Sequence, residues 1–319
     1  MKRIVSVILT TEMQSHREDS RFLNLKSSLC LCASVAGVVS LLILAMALLT
    51  GWAAAQQNPA PAPSQSPASP TGKLPPQAKS QDEYKAYQDA SQLQDPAAVE
   101  AAANSFADKF KNSELRYLLY YKAMFGYQSQ NNGGKAIEMG RKVLALNPNQ
   151  PVTLALMAAM ISEQTRETDL DREERLKEAL QDAQKSVEKI DTDLLLPPGT
   201  PPDRVEQNKN MVRATAYGAM GNIYLTRNSY PEAEKYLKQA IDLMPDNPDA
   251  VTVLRYAIAL DQQKKYSDAL TAANKALELS PAGSPQAGMA KQERERLLKL
   301  TGMPAQPPAV SPPAATPPR

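Results

Sequence analysis

The sequence feature that most constrains the fold is a 34-residue pattern at 214–247 that returns at 250–283. Each copy holds two segments with apolar residues at helical spacing, separated by a short polar turn, as at 227–229. Each segment has one apolar stripe, so the two helices are predicted to pack antiparallel against each other. Pro245 predicts the end of the second helix of the first copy. The pattern therefore predicts an all-helical fold.

Side-chain size supports close packing of the two helices in each copy. Gly221 and Ala233 are small, which allows the helices of the first copy to approach closely. Tyr217 and Tyr224 are predicted to fill the space on either side. A helix pair of this kind cannot hide its whole apolar surface, so neighbouring pairs must stack to bury a continuous core.

The pattern resembles the tetratricopeptide repeat. In 214–247 the resemblance is carried by Tyr217, Met220, Gly221, Tyr224, Ala233, Leu237, Ala240 and Pro245, with Leu237 in place of the family's aromatic residue. In 250–283 it is carried by Val253, Tyr256, Ala257, Leu260, Ala269, Ala273, Ala276 and Pro281. A further copy at 117–150 has Tyr120, Ala123, Met124, Tyr127, Ala136, Gly140, Val143 and Pro148, and Met124 and Gly140 depart from the family pattern. The resemblance implies a right-handed α-solenoid with a concave groove.

Looser helix pairs extend this interpretation to residues 80–302. They are predicted at 82–93 with 96–110 and at 151–164 with 171–190, and residues 191–208 are expected to interrupt the register before the clearest repeat. Asp95 is the predicted N-cap of the helix that begins at Pro96. A charged helix at 286–300 is expected to cap the stack. The expected fold is thus about five antiparallel helix pairs plus a C-terminal capping helix.

The N-terminal part predicts export. After a cytoplasmic segment, 1–28, an uncharged apolar run of 21 residues at 29–49 is long enough to span a bilayer. Five Lys/Arg precede it and the next is Lys73, which places the N-terminus in the cytoplasm. We predict a transmembrane anchor at 29–52, whereas the small residues 53–55 favour signal-peptide cleavage. Both alternatives place the body at the periplasmic face of the membrane or free in the periplasm, as in a bacterial envelope protein.

Two Pro-rich segments flank the predicted solenoid. Residues 56–79 are rich in Pro, Ala, Ser and Gln with almost no large apolar side chain, and 303–319 are similar. Such segments cannot offset their own ordering entropy, so both are expected to be disordered, the first as a linker and the second as a tail.

Composition excludes several chemistries. The only histidine is His16 and the only cysteines are Cys30 and Cys32, so residues 56–319 contain neither type and no cofactor or metal is expected. Residues 1–55 hold five of the 36 Lys/Arg and three of the 34 Asp/Glu, which leaves 31 of each sign and argues against nucleic acid. The acidic residues of 167–175 could suggest an acid/base pair or a calcium site, but Asp169 and Asp171 are interpreted as helix caps. We therefore expect neither an enzyme nor a small-molecule substrate.

The resemblance implies that the first helix of each repeat lines the groove. The predicted partner-binding residues are Leu118, Tyr121, Lys122, Phe125, Thr215, Gly218, Ala219, Asn222, Val251, Leu254, Arg255 and Ile258. This partly apolar face is expected to take an extended peptide or a helix of a partner protein. The alternative is that the chain's own residues 194–196 or its capping helix fill the groove. Only Asn222 and Arg255 are of the type that family members use to grip a C-terminal carboxylate, so that clamp is not expected.

These observations predict a non-enzymatic interaction scaffold of the cell envelope. A structural subunit of an envelope assembly is the alternative, similar to the repeat lipoproteins of outer-membrane assembly. It would use its convex surface and ends in place of the groove.

Overall fold

The computed structural model describes residues 73–302, which form eleven helices and no strand within that range. In chain order these are α1 (Gln81–Gln92), α2 (Pro96–Lys109), α3 (Arg116–Ser129), α4 (Gly133–Leu146), α5 (Pro151–Gln164), α6 (Arg172–Asp193), α7 (Pro202–Thr226), α8 (Tyr230–Asp242), α9 (Ala250–Gln262), α10 (Tyr266–Leu279) and α11 (Pro285–Thr301). The predicted anchor at 29–52, most of the linker and the tail at 303–319 lie outside the described residues.

Consecutive helices pack on each other as five pairs, α1/α2 to α9/α10, and α11 packs on the last pair. The connections are short, which makes neighbouring helices antiparallel. Between α6 and α7, Arg172 at the start of α6 donates to the carbonyl of Thr226 at 2.7 Å, while Asp191 near its end pairs with Arg213 at 2.7 Å. The predicted all-helical fold of paired helices is confirmed for this part of the chain.

The predicted interruption of the repeat register at 191–208 is helical over most of its length. Helix α6 runs to Asp193 and α7 begins at Pro202, so only 194–201 is non-helical. Pro201 is the N-cap of α7 and Pro202 is its first residue. A proline is well suited to this first position, because an N–H there would have no acceptor within the helix and the fixed φ of proline is close to the helical value. The Pro-rich run starts α7, which extends twelve residues upstream of the repeat motif at Ala214.

Side chains define several helix starts. The Asp95 carboxylate accepts the N–H of Ala98 at 3.0 Å, which confirms the predicted cap of α2. Asp171 is the N-cap residue of α6, as predicted, but its side chain makes no capping hydrogen bond. Asp169 is not a cap of α6, because its carboxylate accepts the N–H of Arg166. The bond between Arg166 and Asp169 closes a turn before α6 begins. The Asp169 carboxylate is therefore used in this turn and does not cap the helix.

One hydrophobic cluster runs from α1 to α7, whereas smaller clusters hold α8 to α11. Helix α5 is buried along almost its whole length because α4, α6 and α7 all pack against it. The alternative occupant of the groove was the chain's own residues 194–196. Leu194 and Leu196 are buried in the main cluster. None of the helices within 73–302 is long and apolar enough to cross a membrane.

Candidate functional site

The predicted groove residues lie on the first helices of three pairs, α3, α7 and α9. Those that are buried are Tyr121, Gly218, Ala219, Asn222 and Leu254, and those that are half-buried are Leu118, Lys122, Phe125, Thr215, Val251, Arg255 and Ile258. The half-buried residues are the ones that packing leaves accessible. The role of the whole set in partner binding stays a prediction.

The α3 set combines apolar side chains with one cation. The rings of Tyr121 and Phe125 meet edge to face with centroids 4.7 Å apart. Burial raises the pKa of the Tyr121 hydroxyl, and its hydrogen bond with Gln150 lowers that pKa only in part. Tyr121 thus belongs to the support of the surface, while Leu118 and Phe125 are half-buried and present apolar area beside it.

Lys122 stands among these apolar side chains. Burial lowers the pKa of its ammonium group, and no charged neighbour contributes to that shift. Within 73–302 its side chain makes no hydrogen bond or ion pair.

Gln128 continues the same surface toward the end of α3. It lies seven residues after Tyr121, two helical turns along the same side of the helix. Its Oε1 atom is buried without a hydrogen-bond partner in the described part of the chain. We call Leu118, Tyr121, Lys122, Phe125 and Gln128 together the α3 face.

The α7 and α9 sets are joined by contacts with α5. The Asn222 amide donates to the Ser162 hydroxyl at 3.2 Å, and Arg255 pairs with Glu163 at 3.4 Å. Both acceptors lie in the last turn of α5, so this helix contacts both Asn222 and Arg255. Asn222 and Arg255 already have partners within the chain.

Sequence reasoning missed Ser162, Glu163 and Gln128 as members of this surface. The helix at 151–164 was predicted correctly, but its pair has no clear motif, so its residues were not aligned with the groove positions. Counting from Pro151 as the first helical position would have placed Ser162 and Glu163 at the end of the groove-facing side. Gln128 stands at the corresponding place in α3.

A second surface feature lies at the edge formed by the connections between pairs. Residues 73–79, the end of the predicted linker, run along this edge: Lys73 pairs with Asp193 at 2.6 Å and the Lys79 ammonium donates to the carbonyl of Asn112 at 2.8 Å. A cavity of about 340 Å³ lies between this segment, Tyr117 and Asn147. We call residues 73–79 the edge segment.

Carboxylates of 167–175 are used in ion pairs. Glu173 pairs with Arg172 and with Arg227, the latter at 3.2 Å, and Asp169 pairs with Arg175 at 3.6 Å. Among residues 73–302 no group of three or more His, Cys, Asp or Glu could hold a metal ion. Asp169 thus joins the α5–α6 connection to the first turn of α6, and Glu173 joins the start of α6 to the end of α7.

A stack of helix pairs with a partly apolar face defines the class of helical-repeat proteins. Residues 212–282 match the family model of the tetratricopeptide repeat, which covers the two clearest copies in the sequence. Residues 212–282 of the chain are therefore tetratricopeptide repeats.

Comparison with solved structures returns proteins of low identity. A thermophilic TPR protein of Thermus thermophilus is 17% identical, with 69% of this chain and 100% of that chain covered and a TM-score of 0.38. The assembly chaperone of RpL4, residues 1–338, is 12% identical, with 69% of this chain and 98% of that chain covered and a TM-score of 0.35. No curated protein matches the chain.

Proposed function

We propose that this protein is a non-enzymatic scaffold that binds a peptide or helix of a partner protein along the first helices of its repeats. The observation that carries the proposal is the α3 face, where Leu118 and Phe125 remain half-buried after the helices have packed. Repeat stacks use such surfaces because each helix pair presents its first helix to the same side. As in the repeat family, the stack is proposed to wind in a right-handed sense with these helices on its concave side.

Site-specific cross-linking in intact cells tests this proposal. A photoreactive amino acid in place of Phe125 or Ile258 should join a defined partner. The same group in place of Leu180, a half-buried residue on the second helix α6, is the matched control. Adducts that form from Leu180 and not from Phe125 or Ile258 would contradict binding along the first helices. Tyr121 and Leu254 are unsuitable positions because they are 8% and 4% exposed.

The second candidate is a structural assembly subunit that uses its convex surface and ends. Two observations favour it: Asn222 and Arg255 are already engaged by α5, and Met289 and Leu300 of α11 are exposed at the C-terminal end of the stack. Under this candidate, Phe125→Ser and Ile258→Ser leave complex formation intact, while Met289→Ser together with Leu300→Ser disrupts it.

We propose that the body acts outside the cytoplasmic membrane, held there by an anchor at 29–52 or released after residue 55. The apolar length of 29–49 and the basic residues before it support this location. Protease added to spheroplasts should cut the chain within 56–72. A chain that stays intact while an exported control protein is cut would contradict the location.

A further inference from the structure

The predicted groove residues include two cations that differ in their surroundings. Arg255 of α9 pairs with the carboxylate of Glu163 on the nearby helix α5. Lys122 of α3 has no such partner in the described range 73–302. Partial burial removes some of the hydration of the Lys122 ammonium group, and no carboxylate within 73–302 compensates for that loss. A carboxylate brought to Lys122 would supply the interaction that Arg255 already has.

The neighbours of Lys122 on α3 are apolar. Leu118 lies one turn before it and Phe125 one turn after it, and both are half-buried. A charge pair formed between such side chains is shielded from water and salt more than a pair on an open surface. The same apolar side chains offer contact area to the residues that flank the incoming carboxylate.

The buried Gln128 amide oxygen is a second group on this face that lacks a partner in the described residues. A buried acceptor without a donor carries a desolvation cost that a docked N–H group would remove. An extended segment lying along α3 carries backbone N–H groups that can donate to it. The α3 face therefore presents one donor without an acceptor, the Lys122 ammonium, and one acceptor without a donor, the Gln128 amide oxygen, among residues 73–302.

We propose that the α3 face binds an acidic-apolar segment of a partner protein, with an Asp or Glu carboxylate at Lys122 between two apolar side chains. This inference rests on the proposed function and specifies the partner chemistry at that site. A purely apolar groove would select a segment without charge, whereas this segment carries an Asp or Glu that pairs with Lys122. Arg255, held by Glu163, plays no part in it.

Selection from a random peptide library on the immobilised full-length protein tests the proposal. Peptides recovered on the wild type should be enriched in Asp or Glu beside Leu, Ile or Phe, whereas Lys122→Gln should abolish the acidic enrichment and Lys122→Arg should retain it. For one recovered peptide, Lys122→Gln and the peptide's own Glu→Gln change should each weaken binding about tenfold. Because both changes remove the same pair, combining them should add little further loss.

Further measurements separate the failure modes. Circular dichroism should show that Lys122→Gln folds as the wild type does, since the lysine has no partner to lose within 73–302. Peptides whose binding depends on Phe125 but shows no acidic preference and no coupling to Lys122 would overturn the carboxylate and leave the proposed function standing. Failure to recover any peptide that depends on Phe125 would overturn both. Competition by a synthetic peptide of residues 303–319 would identify the chain's own tail as the occupant and overturn the partner segment.

Discussion

Gly221 lies at a close contact between α7 and α8. A Cβ atom at this position would lie 2.7 Å from Cδ2 and 3.1 Å from the backbone nitrogen of Leu237, which is fully buried. The side chain of Leu237 could rotate away from such a Cβ, but its backbone nitrogen could not. The close approach expected from the sequence is therefore confirmed, and it depends on this one glycine.

We expect Gly221→Ala to lower the free energy of unfolding by about 1–3 kcal/mol, because overpacking at the backbone of α8 outweighs the gain in helix propensity. Gly288→Ala is the matched control. Gly288 lies in α11, and a Cβ atom there would have no neighbour within 4 Å, so alanine should stabilise by about 0.5–1 kcal/mol. Urea unfolding of both variants measures the difference, and equal effects would contradict the steric account.

Asp182 of α6 carries a carboxyl whose environment disfavours its charge. Burial, followed by the nearby carboxylate of Glu178, raises its pKa from the usual 3.8 to about 6, although Lys185 and Arg141 act in the opposite direction. The folded state therefore holds this proton more tightly than the unfolded state. Stability is highest when the group is protonated and falls as pH rises from about 4 to about 6.

Asp182→Asn should remove that loss. Above pH 6 we expect the variant to be more stable than the wild type by about 1–2 kcal/mol, after allowance for partial exposure, and the difference should shrink toward pH 4. Thermal unfolding across pH 4–8 provides the measurement. A difference that does not change with pH would show that the side chain acts through packing and not through its charge.

The aromatic packing between α7 and α8 could not be predicted from the sequence. Leu237 was noted as replacing the family's aromatic residue, and the structure places the neighbouring Tyr236 stacked on Tyr224 at 5.4 Å and near Tyr217 at 6.1 Å. The aromatic contribution comes from the adjacent position because Leu237 occupies the space over Gly221. Such an exchange depends on three-dimensional contacts that spacing alone does not contain.

At the scale of helices, α11 is held to the stack by a buried charge. Arg296 pairs with Asp261 of α9 and, at 3.0 Å, with Glu293 on its own helix. The Asp261 side chain is only 5% exposed, and the pKa of Arg296 is raised by Glu293 and by Asp261. The capping helix therefore depends on an ion pair as well as on the fully buried Leu297.

Arg296→Met should destabilise the C-terminal pairs by about 3 kcal/mol, because it leaves the Asp261 carboxylate buried without its cation. Adding Asp261→Leu should recover most of that loss by removing the stranded charge. Lys291→Met is the control: its pair with Glu295 is exposed and should contribute no more than about 0.5 kcal/mol. Thermal unfolding of the four proteins tests this, and a double variant no more stable than Arg296→Met would contradict it.

Helix positions were largely predictable because their signals are local. The predicted bounds of the helix at 151–164 agree with the observed ones. The start of α2 is marked by Asp95 and Pro96, a cap and a proline within four residues of the chain. The start of α7 was missed because prolines at 197–202 were interpreted as a break, although Pro202 is its first residue. The pairing of Arg255 with Glu163 joins residues 92 positions apart, so no local pattern could have predicted it.

The hydrophobic core is divided unequally between the N-terminal helices α1 to α7 and the C-terminal helices α8 to α11. One cluster joins α1 to α7, whereas α8 to α11 are held by three small clusters, the largest with seven buried residues. In repeat proteins, stability is close to a sum of local and nearest-neighbour contributions. The C-terminal helices should therefore open without the N-terminal ones.

Native-state hydrogen exchange should show α9 to α11 exchanging through openings of lower free energy than α3 to α6. Leu260→Ala, in the C-terminal cluster, should speed exchange in α9 to α11 and leave α3 to α6 nearly unchanged. Met157→Ala, equally buried in the main cluster, should speed exchange in α3 to α6, with about 2–5 kcal/mol lost in each case. A single exchange free energy for all helices would contradict the division.

The edge segment brings the described chain onto the body at the third helix pair. Lys73 is bound to Asp193 in the third helix pair, so the described chain contacts the middle of the stack before it reaches α1. Under the proposed anchoring, the body is held at its middle and both ends of the stack remain open to neighbours.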